Sequence, residues 1–135
     1  MARFTGGADA AFRPLHLLHM LRDAPATAVS VVNWNTVSLR FAATPQDVGV
    51  FRLLGVAAPR CGALGRAAAR AALSRVVMDA PGRPPVRLGA SVFGAGADGV
   101  PLVRLFVAAG GRGGRADVAR ILAAAGSDTA GWWRW

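Results

Sequence analysis

An α/β domain with a mixed β-sheet of about five strands and two helices, in the order β-β-β-α-β-α, is the fold class this chain of 135 residues predicts. Three observations carry that expectation. Short runs near the start alternate apolar and polar residues as half-buried strands do. An alanine-rich stretch in the middle has helical periodicity. Near the end, a strand, a glycine-arginine turn and a second helix follow one another within residues 102–126.

Taken in order, residues 1–26 read as an N-terminal arm. Phe12 to Arg22 is a short apolar helical stretch with Arg at both ends and no acid within it, in the manner of a mitochondrial targeting helix. It is either an uncleaved import signal or an extension that packs on neighbours. Thr27–Asn33 is the first strand, Asn33-Trp34-Asn35-Thr36 has turn chemistry, and Val37–Ala42 alternates again as the second strand. Thr44–Gly49 is a loop and Val50–Val56 a third strand, which together make a meander.

Pro59–Gly65 is a small-residue loop that carries Arg60. It leads into a helix over 66–78, with Ala69, Leu73, Val76 and Val77 as the apolar face. Arg66 and Arg70, four apart, share one flank, as a solvated edge or as an RNA contact. Ala80–Pro85 breaks the helix. Val86–Phe93 is either a further strand or an irregular insert, and Gly94–Gly99 is a turn. In the final unit Val103, Leu105 and Val107 alternate. Val118, Ile121, Leu122 and Ala125 fall on one helix face, Arg120 on the other, and Gly126 stands at the expected C-cap. Residues 127–135 form a tryptophan-rich tail that docks on a partner, stacks on RNA bases or folds back on the sheet.

The charge balance narrows function. All 16 basic residues are Arg and all 7 acidic residues are Asp, for a formal net charge of +9 and a pI near 11.9. Such an excess implies a polyanionic partner, and Arg gives planar, bidentate contacts to phosphate. The turn Gly110-Gly111-Arg112-Gly113-Gly114-Arg115 has little bulk besides two guanidiniums, which suits close approach of a phosphate backbone to main-chain N–H groups. That turn lacks both the Lys-Ser/Thr ending of a phosphate-binding loop and a dinucleotide fingerprint. The Asp residues show no paired spacing for acid–base or metal work. One cysteine, Cys61, excludes an internal disulfide, and His16 with His19 reads as a packed or solvent-facing pair rather than a metal site. The expectation is therefore a non-enzyme with no cofactor, no bound metal, no membrane span and no small-molecule substrate.

Two separated stretches, Val31–Leu39 and Gly110–Gly126, resemble the universal small-subunit ribosomal protein S-eleven family. That family has a strand, an Asn-Asn-Thr turn and a second strand near its start. Later it has a strand, Gly-Pro-Gly-x-Gly-Arg-Glu, and a helix that closes on Ala-Ala-Gly. The likeness spans roughly residues 27–126, read as one domain with 81–99 as an insertion. Gly111 and Gly113 stand where the family has proline, Ala116 stands for its glutamate, and its basic C-terminal tail is absent or reduced to residues 127–135. Such divergence points to an organellar member.

The resemblance implies a ribonuclease H-like topology and a structural role in the mitochondrial small ribosomal subunit, in the matrix or in another organelle. Its partners would be small-subunit ribosomal RNA, on the platform near the mRNA exit side, and neighbouring small-subunit proteins. By residue-wise transfer Asn33, Asn35 and Thr36 would touch RNA from the hairpin, and Arg60, Arg66 and Arg70 from the loop and helix. Gly110, Gly111, Gly113, Gly114, Arg115 and Arg120 would do so from the glycine loop and last helix. Arg112 joins them for its charge alone. An alternative rests on Phe93–Leu102, which faintly resembles the thioredoxin-like family shared by a complex I accessory subunit and some mitoribosomal large-subunit proteins. That fold would set residues 65–78 directly after its first strand, with no preceding hairpin.

Overall fold

The computed structural model describes residues 22–59, 62–108 and 114–128. Eight elements follow in the order β1 (Ala24–Asn33), β2 (Thr36–Phe41), β3 (Val48–Leu53), α1 (Gly62–Val77), β4 (Leu88–Ala95), β5 (Pro101–Ala108), β6 (Arg115–Asp117) and α2 (Val118–Asp128). The chain is mixed α/β with two helices, as expected. Its sheet differs in two respects. It closes on itself as a barrel, because β3 pairs with β5, and its strand order is therefore not that of the expected ribonuclease H-like mixed sheet.

The ring runs β1-β2-β3-β5-β4 and returns to β1. β1–β2, β2–β3, β4–β5 and β1–β4 are antiparallel, while β3 meets β5 in parallel. That last seam is short, Arg52 with Leu102 and Leu53 with Val103, and is extended by the Leu54 N–H donating to the Val103 carbonyl at 2.9 Å. It lies on the first half of β5, so the second half of the same edge is free to pair with β6. Arg52 of β3 also forms an ion pair with Asp98 in the β4–β5 turn, which fastens the seam from outside.

Alternation places the core. Val37, Leu39 and Phe41 of β2, Phe51 and Leu53 of β3, Leu88, Ala90 and Val92 of β4, and Val103 and Leu105 of β5 all point inward and are buried. Phe41 and Phe51 meet edge to face with ring centroids 5.5 Å apart. A barrel of this size has no room for solvent, so its interior is filled by side chains. Ala69, Ala72, Leu73 and Val77 of α1, with Val118 and Leu122 of α2, complete the core. The small alanines let α1 lie close to the strands.

Local chemistry sets the element ends. Asp117 accepts the Ala119 N–H at 2.9 Å and so caps α2. Arg83 folds back after the Pro-Gly break and donates to the carbonyls of Arg75 (3.3 Å) and Met78 (3.1 Å), which the end of α1 leaves without helical partners. β1 has register shifts at Ala28/Ser30 and Val31/Asn33 and pairs with β4 only over Ala24–Ala26. Such irregularities bend a strand and turn it away from its neighbour.

Several boundaries move from their expected places. Residues 81–99, expected as an insertion, contain β4, a full member of the ring. The first strand begins at Ala24, inside the span expected to be arm. Between the glycine turn and the last helix stands β6, because Arg115–Asp117 finds the free edge of β5. α2 runs through Gly126 to Asp128, so Gly126 is not its C-cap. Residues 24–41 form a hairpin ahead of α1, which is not the order a thioredoxin-like chain would have. Most of the expected arm, Arg60, Cys61, Gly110–Gly113 and most of the tryptophan tail lie outside the described residues.

Candidate nucleic-acid interface

The β1–β2 turn is built by its own side chains. The Asn33 carbonyl side-chain oxygen accepts the Asn35 N–H at 3.0 Å, and Asn35 Oδ1 accepts the Thr36 hydroxyl at 2.9 Å. The Asn35 main-chain carbonyl takes the Leu53 N–H at 2.7 Å, which ties the turn to β3. This is the self-bonding that makes Asn a turn residue. It consumes the acceptor oxygens of both side chains and leaves their amide N–H groups as donors. Thr36 is buried, and its hydroxyl is spent within the turn.

Beside this turn lies α1. Where β1 has left β4, the Val31 carbonyl has no strand partner there, and Arg70 Nε donates to it at 3.2 Å. Arg66 stands one turn earlier on the same helix flank. The result is an open cleft of about 350 Å³ lined by Asn33, Trp34, Arg66, Ala67 and Arg70. The half-buried Trp34 gives it an aromatic wall. No carboxylate, histidine or thiol lines it. Two guanidiniums, amide N–H groups and an indole ring are donors and a stacking surface, a set suited to an anion that carries a flat ring.

Of the hairpin and helix residues expected from sequence, Asn33, Arg66 and Arg70 line the cleft, whereas Asn35 and the buried Thr36 lie in the adjoining turn and do not. The glycine-loop residues do not join them. Arg115, in β6, is held in an ion pair by Asp23 and lies over the Phe106 ring at 4.8 Å. Gly114 is exposed, and Arg120 is exposed on α2; neither lines the cleft. Arg52, Arg104 and Arg115 have carboxylate partners, whereas Arg66 and Arg70 have none among the described residues. Positive charge is therefore uncompensated at the turn, as it also is at Arg40, Arg75, Arg83, Arg87 and Arg120 among the described residues, and is compensated at Arg52, Arg104 and Arg115. Trp34 was legible in the sequence only as part of the turn. Its role in the cleft comes from the closeness of α1.

Among the described residues no group of three or more His, Cys, Asp or Glu could hold a metal ion, and no helix is long and apolar enough to cross a membrane. Compared with known proteins, the chain matches no family model and no curated sequence.

Proposed function

We propose that this chain is a nucleic-acid-binding module and that RNA binds where the β1–β2 turn meets α1. The observation that carries the reading is the cleft of Asn33, Trp34, Arg66, Ala67 and Arg70, in which cationic donors surround an indole and no acid intervenes. Phosphate oxygens would be taken by the guanidiniums, and a base would stack on Trp34. Base–aromatic stacking is worth about 1–3 kcal/mol per base and tolerates any sequence. The net charge of +9 adds long-range attraction for a polyanion.

The topology is similar to that of the oligonucleotide/oligosaccharide-binding barrel. That fold is a five-stranded Greek-key barrel in which the loop joining the first two strands takes part in binding. Likeness of fold alone assigns no ligand, and the arginines are what favour a polyanion over a neutral glycan. No catalytic role is proposed, because the cleft holds neither a base nor a nucleophile.

The role expected from the sequence, a structural component of the mitochondrial small ribosomal subunit bound to its ribosomal RNA, is the narrower form of this proposal. It rests on the Asn-Trp-Asn-Thr turn beside Arg66 and Arg70 and on the charge. It draws nothing from the topology.

The test is titration of labelled single-stranded RNA, followed by fluorescence anisotropy between 50 and 200 mM salt. Affinity is expected to fall with a slope of roughly −0.7 per phosphate contacted, and the R66A/R70A double variant to bind at least tenfold more weakly. A flat salt response, or an R66A/R70A variant that binds as the wild type does, sinks the reading. Heparin competing better than RNA would redirect it to anionic glycans. Co-sedimentation with small ribosomal subunits tests the narrower form.

A further inference from the structure

At the other end of the same barrel wall lies a second place where arginines stand without acids. Thr27 of β1 pairs with Arg40 of β2, and Ala26 pairs with Leu88 at the start of β4, with Arg87 just before it. Arg87, Thr27 and Arg40 line one pocket at this end of the barrel. Both arginines are exposed and have no carboxylate partner among the described residues. They flank a pocket of about 200 Å³ whose remaining lining is mostly apolar, with Pro25, Phe41, Pro45 and Leu88 prominent. Asp47, in the adjoining loop, does not line it.

We infer that this pocket is a second nucleotide subsite, and that one single strand of nucleic acid runs along β1 from the Trp34 cleft to it. The inference rests on the nucleic-acid reading above and gives that reading a direction and a length. A sugar or base sits on the apolar lining, and its phosphate lies between Arg40 and Arg87. Six residue steps along β1, from Thr27 to Asn33, separate the two sites, a distance of about 20 Å. An extended single strand advances about 6 Å per nucleotide, so the footprint is about four nucleotides, the low end of single-strand sites on such barrels. The wall between carries no charge of its own. Val29 and Val32 are exposed there at 38% and 51%, with Ser30 beside them, so bases can lie on it without meeting an acid.

Two subsites on one strand act as linked modules, so affinity depends on whether the strand is long enough to reach both. The experiment measures RNA homopolymers of two to twelve nucleotides against the full chain, R40A/R87A and R66A/R70A, with thermal melting of each. For the wild type, affinity is expected to rise at least tenfold between three and six nucleotides. R40A/R87A should bind the trinucleotide within twofold of wild type yet lose that rise, and its salt slope on the dodecamer should fall by about 0.7, for the one phosphate released. If R40A/R87A keeps the rise, or if the wild type shows none, the second subsite is overturned. If instead R66A/R70A binds every length as the wild type does, the nucleic-acid reading itself fails. R40Q/R87Q supplies the same comparison should the alanine variant melt early.

Discussion

Arg70 donates its Nε–H to the main-chain carbonyl of Val31 at 3.2 Å, where β1 has parted from β4. One nitrogen of the guanidinium is thus structural, while the residue as a whole lines the cleft that Trp34 and Asn33 complete. Arg66, on the same flank, makes no such bond. The two arginines are therefore separable by experiment. R70A is expected to lower stability by about 1 kcal/mol, the cost of leaving a partly buried carbonyl unpaired, and to weaken RNA binding. R66A should leave stability within about 0.5 kcal/mol and weaken binding alone. Denaturant unfolding and anisotropy on the same preparations check both.

Gly89 lies beneath the ion pair of Asp23 and Arg115. A Cβ there would collide with the Asp23 carboxylate and come within 3.3 Å of Arg115 Nη1. G89A is expected to break that pair at a cost of less than about 1 kcal/mol, since both partners are exposed and Asp23 can swing aside. The costs of G89A and D23A should then fail to add, because the second change removes a contact already lost. Thermal melts of the two single variants and the double variant read this directly.

Leu73 is fully buried where α1 closes the barrel. L73A should cost about 2–5 kcal/mol, for the lost burial and the cavity left behind. The loss should appear as a lower denaturant midpoint with an unchanged slope.

Asp98 is held below the ordinary carboxylate range, first by its hydrogen bond from Arg52 and then by the Val100 N–H. Its pKa is lower folded than unfolded, so its contribution is present above the unfolded value. That contribution is lost as pH falls below about 4 and through the folded value. D98N should therefore lower stability slightly in the neutral region, converge with the wild type at low pH, and so flatten the acid limb of the stability-against-pH curve. An acid limb identical in wild type and D98N would remove the seam ion pair from the account.

Much of this fold can be read along the chain. Val37, Leu39 and Phe41 alternate, and β2 forms. Ala69, Leu73 and Val77 recur on one face, and α1 forms against the core. β4 is harder to read, since Gly89 and Gly94 interrupt its apolar residues and no turn residue at its start distinguishes strand from insert. Gly126 misleads because a helix continues through glycine when the preceding turns are packed, and Val118 and Leu122 pack α2. Arg115 misleads for a different reason. Its sequence neighbours are glycines, but its partners are Asp23, 92 residues earlier, and Phe106 across a strand pair.

By itself the sequence determined both helices, β1 to β3 and β5, though neither β6 nor the choice of strand over insert at β4, together with the Asn-Trp-Asn-Thr turn, the helix flank of Arg66 and Arg70, and the excess of arginine over acid. Those follow from periodicity, local hydrogen bonding and composition, which act over a few residues or over the whole chain at once. Tertiary structure alone decided that β3 meets β5 and shuts the sheet into a barrel. It also decided that the turn and α1 share one cleft, and which arginines the few aspartates neutralise. Each of those depends on contacts between residues far apart in the chain, and their pairing is set by packing and closure rather than by any local preference.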